Sequence, residues 1–592
     1  MSPTDSRSAP SLLEFDTDVL VVGSGPTGGT AALALATYGV RVHMVSRWNW
    51  LANTPRAHIT NQRTVEVFRD LGIEEETHRH ATPWEWMGEN PVVTSLAGEE
   101  LLRLPAWGSG EERRSDYLRG SPCPLMDLPQ TLVEPILFKN AAERGATSSM
   151  NTEYLSHAEH ADGVTVHLQD RLSGRRYTMR AKYLVGADGA NSRIASDIGL
   201  PITGEMGRAG TLYTLFNADL TAYVQHRPSI MNWIVSPQAS YGELGVGMMR
   251  AIKPWTQWIV GWGFDMAKGE PDQSDDAVLP RIRALIGVPD IGIEIVHKSI
   301  WYVNEACASE YSKGRVFCAG DAVHRHPPSS GLGLNTCVQD AHNLAWKLAF
   351  VLKGHADPSL LRSYSDERAP VGKQIVQRAN QSRRDYAALK KVFHVEGADD
   401  PVAAGIRRFR EASADGAQAR LAVLDAIDLK NREFNAQGVE MNQRYTSPAV
   451  LPDPGAAEEL WKRDPELYLQ PSTRPGAKMP HAWLIDAHGK RISTLDIVGK
   501  GKFSLVTGLS GHAWSAAAER LKLPFLRVAV IGQKAQQDVY CTWARLREID
   551  EAGVLLVRPD GFIAWRHENG VDSPDAALRL LTGALAALQL HA

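Results

Sequence analysis

Three stretches of this 592-residue chain combine glycine with side chains that could hold phosphates, protons or metals. The first, GSGPTG (Gly23 to Gly28), follows the apolar run VLVV and opens the helix-like TGGTAALALATYG. Strand, glycine turn and helix in that order make a dinucleotide fingerprint. In it, Gly23 permits the tight turn, Gly25 lets the backbone approach a pyrophosphate, and Gly28 allows close helix–strand packing. The second stretch is YLVGADGANSR, with Asp188, Gly189 and Arg193 at a strand end. The third is GDAVHRHPPSSGLGLN, residues 320 to 335, with Asp321, two histidines, Pro327, Gly331, Gly333, Leu334 and Asn335.

The third stretch could be a metal site, a phosphate loop or the border of a larger ligand. His324 and His326, two apart on a strand, share a face, but no third ligand recurs nearby, so no metal is expected. A Walker loop is excluded because no Gly-Lys-Ser/Thr follows. Two strand ends and a glycine-rich helix start around a dinucleotide fold would instead surround a long ligand at several points. One part of the fingerprint is missing. The second strand, VRVHMV (residues 40 to 45), should end in an acid for the ribose hydroxyls, but it runs into Ser46 and Arg47. Either Ser46 and its polar neighbours serve the ribose, or Arg47 holds the adenosine end by charge and stacking, or Arg47 is a plain surface residue.

The elements that must position these residues can be read along the chain. VLVVG and VRVHMV are strands of a β-α-β unit, and ITNQRTVEVFRDLG is a helix closed by Gly72. Residues 151 to 189 form a meander that returns to the sheet. Between 210 and 300, YTLFNADL, MNWIVS, ELGVGMMRAI and WTQWIVGWGF predict a mostly antiparallel sheet, a platform for an aromatic or apolar ligand. Apolar positions 341, 344, 345, 348, 349 and 352 predict an amphipathic helix after the third motif. Residues 355 to 440 read as helical and charged. After a proline-rich stretch (448 to 480), HAWLID, FSLVTG, FLRVAVIG and VLLVRPDGFIAWR predict a separate small α/β block.

Composition narrows the setting. The length calls for two to four domains. A formal net charge of −4 gives no global attraction to nucleic acid or anionic lipid. Cys123, Cys307, Cys318, Cys337 and Cys541 form no C-x-x-C pair, which suits a reducing cytoplasm. The polar N-terminus lacks a signal pattern, and the apolar run from Val19 to Val40 is broken by glycines and a proline, so no membrane span is expected.

The three motifs, in order and spacing, resemble the class A FAD-dependent aromatic monooxygenases of the p-hydroxybenzoate hydroxylase type. PRAHITNQRTVEVFRDLG, MGEN, SLAGEE, DLPQ, KYLVGADGANSR and GDAVHRHPPSSGLGLNT are similar to the phenol-hydroxylase branch, and the resemblance covers nearly the whole chain. It implies an α/β architecture with a Rossmann-type FAD-binding domain (residues 1–195 and 301–440). An antiparallel-sheet substrate domain (196–300) is inserted in it, with a small substrate-side insertion near 80–118. A thioredoxin-like C-terminal domain (441–592) follows, without the redox C-x-x-C, so an interaction or dimer role is expected for it.

By the resemblance, Asp321 contacts the ribityl-pyrophosphate side of FAD, while Pro327 and the backbone of Gly331 to Asn335 border the isoalloxazine. Arg56, Gln130 and Asp188 are flavin contacts, with Arg193 a weaker candidate. The chemistry it implies is reduction of FAD by NADPH or NADH, oxygen addition to a C4a-hydroperoxide, and ortho-hydroxylation of a phenol to a catechol. Phenolate is more nucleophilic than phenol, so a base is expected. His58 is the candidate, since an unperturbed histidine titrates near neutrality, and Asp127 orients or relays for it. The plainer reading of His58 is a packed or capping histidine. Trp233 and Arg250 are candidate substrate or flavin neighbours, though core packing is the commoner role of a tryptophan. No second dinucleotide fingerprint occurs, so the nicotinamide is expected to visit transiently.

Three rival readings remain: a larger polycyclic or polyketide substrate, a flavin-dependent halogenase, and a flavin-binding regulator without turnover. WEW (residues 84 to 86) superficially matches the halogenase W-x-W but is followed by Met-Gly in the wrong region. The expected partners are a small phenolic substrate, O2 and NAD(P)H, with no nucleic acid and no membrane, in a dimer or tetramer.

Overall fold

The computed structural model describes residues 15–239, 245–455 and 457–591. The polar N-terminal segment and the start of the ELGVGMMRAI strand lie outside the described residues.

Five strands lie parallel, in the spatial order Val316–Cys318, Arg176–Gly186, Thr17–Val22, Val42–Val45, Thr147–Ser149, and the central Thr17–Val22 is a buried run of valine and leucine. Such runs suit strands covered on both faces. The helices Pro26–Thr37 and Gly333–Leu352 pack on this sheet and on each other, sharing one core with it. In register, Val22 lies beside Val45 and Gly186, and Gly186 beside Cys318. The residues that follow (Gly23, Ser46, Asp188 and Asp321) therefore emerge along one edge, at the carboxyl ends of parallel strands where such sheets bind ligands. The hairpin Thr152–Glu159 and Val164–Asp170 extends the sheet antiparallel to Arg176–Gly186.

A second sheet has seven strands in the order Glu294–Tyr302, Gly210–Asn217, Gln257–Phe264, Gly247–Lys253, Met231–Ile234, Asn90–Val93, Glu100–Leu104. All neighbours are antiparallel except Met231–Ile234 with Asn90–Val93. The region from 210 to 300 is not all strand, however. Asp275–Ile286 is a helix capped by the Ser274 hydroxyl, and it buries Val278, Ile282, Leu285 and Ile286. That stripe covers one face of the sheet, where Leu212, Phe216, Met249, Trp258, Val260 and Trp262 are buried. Period-two alternation and register send Tyr213, Met231, Trp233, Met248, Arg250 and Ile259 to the other face.

The C-terminal sheet runs Leu526–Ile531, Phe503–Gly508, Val554–Val557, Ile563–His567, with only the first pair parallel. This block also packs against the first sheet's helices. Trp346 and Phe350, on the helix after the third motif, pack their rings against Phe503 at 5.8 and 5.5 Å, and these residues belong to one continuous core. Among the described residues, no helix is long and apolar enough to cross a membrane.

Candidate active site

The glycine turn after the first strand is built for close approach. Gly23 sits at φ +114°, and a Cβ there would lie 2.0 Å from the Ala187 carbonyl oxygen. A Cβ at Gly28 would lie 1.8 Å from the Gly23 oxygen. Gly25 differs, for a Cβ there would meet nothing closer than Glu134 Oε1 at 3.8 Å. Gly25 opens the Pro26–Thr37 helix, and no side chain caps that terminus. An open backbone and uncapped N–H groups together make an anion cradle.

A second group of polar atoms gathers under the antiparallel sheet. Ile59–Thr60 and Met126–Asp127 form a short antiparallel ladder, with Ile59 opposite Asp127. The Leu128 amide donates to the His58 carbonyl across 2.8 Å. His58 Nδ1 then lies 4.0 Å from Asp127 Oδ1. Arg250, from the sheet face opposite the Asp275–Ile286 helix, donates to the same oxygen at 2.6 Å. Asp127 is fully buried, and His58 and Arg250 nearly so. Even so, His58 Nδ1, Asp127 Oδ2, Arg250 Nε and Trp233 Nε1 have no hydrogen-bond partner among the described residues. Buried polar atoms are normally paired, so such a gathering marks a place where a polar ligand completes the set.

The comparisons with known proteins bear directly on that ligand. The FAD binding domain family matches residues 16–379, and the aromatic-ring hydroxylase C-terminal family matches residues 472–587. The chain belongs to the FAD-dependent aromatic-ring hydroxylases. It is 48% identical over 576 residues to a 2,4-dichlorophenol 6-monooxygenase of Delftia acidovorans, covering 95% of this chain and 98% of that one. A phenol 2-monooxygenase of Pseudomonas sp. (strain EST1001) is 46% identical over 587 residues, covering 98% and 94%. Among solved structures, the flavin-dependent monooxygenase PieE, in complex with FAD and substrate, superposes with a TM-score of 0.92 at 40% identity, covering 97% of this chain and all of that one.

The residues of this hydroxylase fit FAD at the strand edge, since the open Gly25 cradle can take a pyrophosphate without a clash. Around it, the hydroxylase spreads its sequence-predicted site residues unevenly. Arg47 is exposed, its guanidinium 4.8 Å over the Trp48 ring, while Ser46 is buried and accepts from the Ser24 hydroxyl. Asp188 accepts from the Ser192 hydroxyl and from the Arg193 and Ile194 amides, holding the turn after its strand. The Arg193 side chain points to solvent, 4.0 Å from Asp197. The Asp321 carboxylate is exposed at the edge, while Pro327 and Leu334 are buried. Gly331 packs on Ile59, and Gly333 lies against the His326 ring. His324 is committed to Asp340 at 2.8 Å.

Asn335 spends its whole side chain inside the protein. Its oxygen accepts from the Asn61 amide, and its nitrogen donates to the Ile59 and Gly331 carbonyls. It thereby rivets the start of the Gly333–Leu352 helix to the strand that carries His58. The Trp233 ring is likewise half committed, 4.7 Å from Tyr386 and 6.4 Å from Phe434.

Two expectations for the acid–base pair need correction. His58 does not keep an ordinary titration. Burial, and then the charge of Arg250, hold its imidazole well below the usual 6.5. Asp127 does not hydrogen-bond His58: its Oδ1 stands 4.0 Å from His58 Nδ1 and accepts from Arg250 instead. Burial pushes the Asp127 carboxyl up, and Arg250 opposes that shift.

Sequence reasoning passed over Glu134. One carboxylate oxygen accepts from Gln130 Nε2 at 2.6 Å, and the other accepts from the Ala52 amide at 2.6 Å. Glu134 thus orients Gln130 and pins the loop carrying exposed Arg56, whose charge reaches it. Burial still pushes the Glu134 carboxyl up. The signal was its position four residues after Gln130 on one helical face.

Proposed function

We propose that this flavoprotein ortho-hydroxylates a substituted phenol to a catechol, consuming O2 and NADPH or NADH and releasing water. The observation that carries the reading is the buried group of His58, Asp127 and Arg250 with unpaired polar atoms, in a chain aligned end to end with phenol-type monooxygenases.

In this reading the Gly23–Gly28 turn takes the FAD pyrophosphate, with Asp188, Asp321, Gln130, Arg56 and Arg47 around the remainder of the dinucleotide. Pro327 and the backbone from Gly331 through Gly333 and Leu334 to Asn335 border the flavin ring. When bound, FAD accepts hydride from the nicotinamide and activates dioxygen so that one oxygen atom reaches the substrate ring.

In this reading His58 is neutral, in the tautomer whose Nδ1 accepts from the phenol hydroxyl. Proton transfer to a buried imidazole beside Arg250 is costly in the empty pocket. An incoming phenolate supplies the negative charge that offsets both cations, so ionisation is favoured once substrate is in place. Asp127, 4.0 Å away, stabilises the imidazolium by charge. The phenolate oxygen then feeds electron density to its ortho carbon, the atom that is oxygenated. Trp233 and the sheet face that carries Arg250 border the ring. We read the enzyme as cytoplasmic and as a dimer or tetramer.

The test is NAD(P)H oxidation by FAD-loaded protein over a panel of phenols, with catechol and hydrogen peroxide measured together. Substrate-stimulated oxidation with catechol formation is expected. Substrate-independent oxidation giving peroxide alone would refute the reading.

A further inference from the structure

The C-terminal domain has no assigned part in the reaction, yet one of its lysines reaches the segment that carries the proposed acid–base pair. Lys478 Nζ donates to both carboxylate oxygens of Glu66, at 2.8 and 2.9 Å. Glu66 lies on the Gln62–Asp70 helix, which begins immediately after the Ile59–Thr60 strand and its capping residue Asn61. Glu66 therefore stands about one helical turn beyond Gln62, on the helix joined to His58 through Asn61 and the Ile59–Thr60 strand.

Glu66 also acts in the other direction. Its Oε1 accepts from the Ser121 hydroxyl at 2.7 Å, and Ser121 in turn receives the Cys123 amide. Gln62, at the head of the same helix, donates to the Cys123 carbonyl at 3.0 Å. The chain from Ser121 runs directly into Met126–Asp127. Helix, loop and the ladder of Ile59–Thr60 with Met126–Asp127 therefore close a ring, in which Gln62 and Glu66 both tie helix to loop and Glu66 alone of the two is also held by Lys478.

Lys478 is itself fixed to the C-terminal sheet. Its backbone pairs with Phe562, and the Met479 amide donates to the Gly561 carbonyl. A second tie runs beside the first, as Arg63, on the same helix, donates to the Asp560 carbonyl at 2.9 Å. Glu66, Lys478, Arg63 and Ser121 are all buried. Arg63 also donates to Glu66 Oε2 at 3.2 Å, so without Lys478 the Glu66 carboxylate keeps Arg63 and Ser121 but loses the partner that holds both its oxygens, and it must shift toward Arg63.

We propose that Lys478 is a positioning residue of the hydroxylation site, seating both oxygens of Glu66 and thereby setting how His58 stands against Asp127. The proposal rests on the reading that His58 and Asp127 receive the phenol. It gives the C-terminal domain a part in the reaction without any contact with substrate.

The experiment uses the full-length, FAD-loaded enzyme with phenol and 2,4-dichlorophenol as probes, in four forms: wild type, Lys478→Met, Lys478→Arg and His58→Ala. Three quantities are read: catechol formed per NAD(P)H consumed, the pH dependence of kcat, and the pH dependence of the ultraviolet difference spectrum of the bound phenol. Lys478→Met is expected to lower kcat for hydroxylation about tenfold, as a small misplacement of an acid–base group would. It should also shift both pH profiles while FAD content stays that of wild type. Lys478→Arg, which keeps the charge and the reach, should restore them. A Lys478→Met enzyme that melts lower but keeps wild-type coupling and pH profiles, beside a defective His58→Ala, overturns this inference alone. A His58→Ala enzyme with wild-type profiles overturns the reading and the inference together. If Lys478→Met does not fold, Glu66→Gln combined with Lys478→Met removes the Lys478–Glu66 pair at near-constant volume, with Arg63 still donating to the Asp560 carbonyl, and is judged by the same outcomes.

Discussion

Arg250 donates to Asp127 across 2.6 Å, between residues 123 apart in the chain. The pair joins one buried face of the antiparallel sheet to the short ladder of Ile59–Thr60 and Met126–Asp127 beside His58. One Asp127 oxygen is consumed by this bond and the other is left without a partner. The arrangement holds a charge pair in place and still presents an acceptor.

Breaking the pair from the arginine side leaves a buried carboxyl without compensation. Arg250→Met is expected to cost about 3–5 kcal/mol of stability, the usual price of orphaning a buried ion. Calorimetry should show a lower melting temperature together with a loss of hydroxylation. An unchanged melting temperature would mean that the pair is not formed.

The state of His58 sets a pH prediction. Its imidazole is held well below 6.5, so it remains neutral as pH falls from 7 through 6.5. The acid limb of kcat/KM should therefore lie below the ordinary histidine value, and His58→Gln should remove it. The same shift links to stability. Below pH 6.5 the unfolded chain takes up a proton that the folded one refuses. This group therefore costs stability progressively as pH drops below that value, and costs nothing above it. Unfolding midpoints of wild type and His58→Gln should converge above neutrality and separate in acid, with wild type the lower.

Two glycines of one turn should fail in different ways. A side chain at Gly23 collides with the Ala187 carbonyl, so Gly23→Ala should destabilise the apoprotein itself. At Gly25 the protein leaves room for a Cβ. Gly25→Val should give a folded apoprotein of near wild-type melting temperature that no longer retains FAD. Flavin absorbance after gel filtration separates the cases, and a yellow Gly25→Val protein would contradict the cradle.

Glu134 gives a fourth test. Glu134→Ala frees both Gln130 and the Ala52 amide, each held at 2.6 Å. FAD should bind about tenfold more weakly, the loss of one to two hydrogen bonds' worth of ordering. Quenching of flavin fluorescence on titration measures this directly, and wild-type affinity would remove Glu134 from the cofactor's support.

Much of the dinucleotide edge was legible because its constraints are local. Gly23, Gly25 and Gly28 are fixed by one turn, and the turn's residues are adjacent in sequence. The helix Asp275–Ile286 was obscured by neighbouring strand-like runs and by Pro280 inside it. The docking of the C-terminal sheet could not be read, since Trp346 and Phe503 look like ordinary core residues until the fold brings them together. His58 could be named from a resemblance, but its suppressed titration could not. That depends first on burial and then on Arg250, which reaches it from a different sheet. Glu66 and Lys478, 412 residues apart, are joined only by tertiary structure.

The most direct test of the central claim is a single-substrate turnover under isotopically heavy dioxygen, with phenol, FAD-loaded enzyme and NAD(P)H. The account predicts catechol carrying one heavy oxygen atom, formed in proportion to nicotinamide oxidised, and lost in His58→Ala. Oxidation that proceeds at the same rate without phenol, with all the heavy oxygen recovered as peroxide, would contradict it.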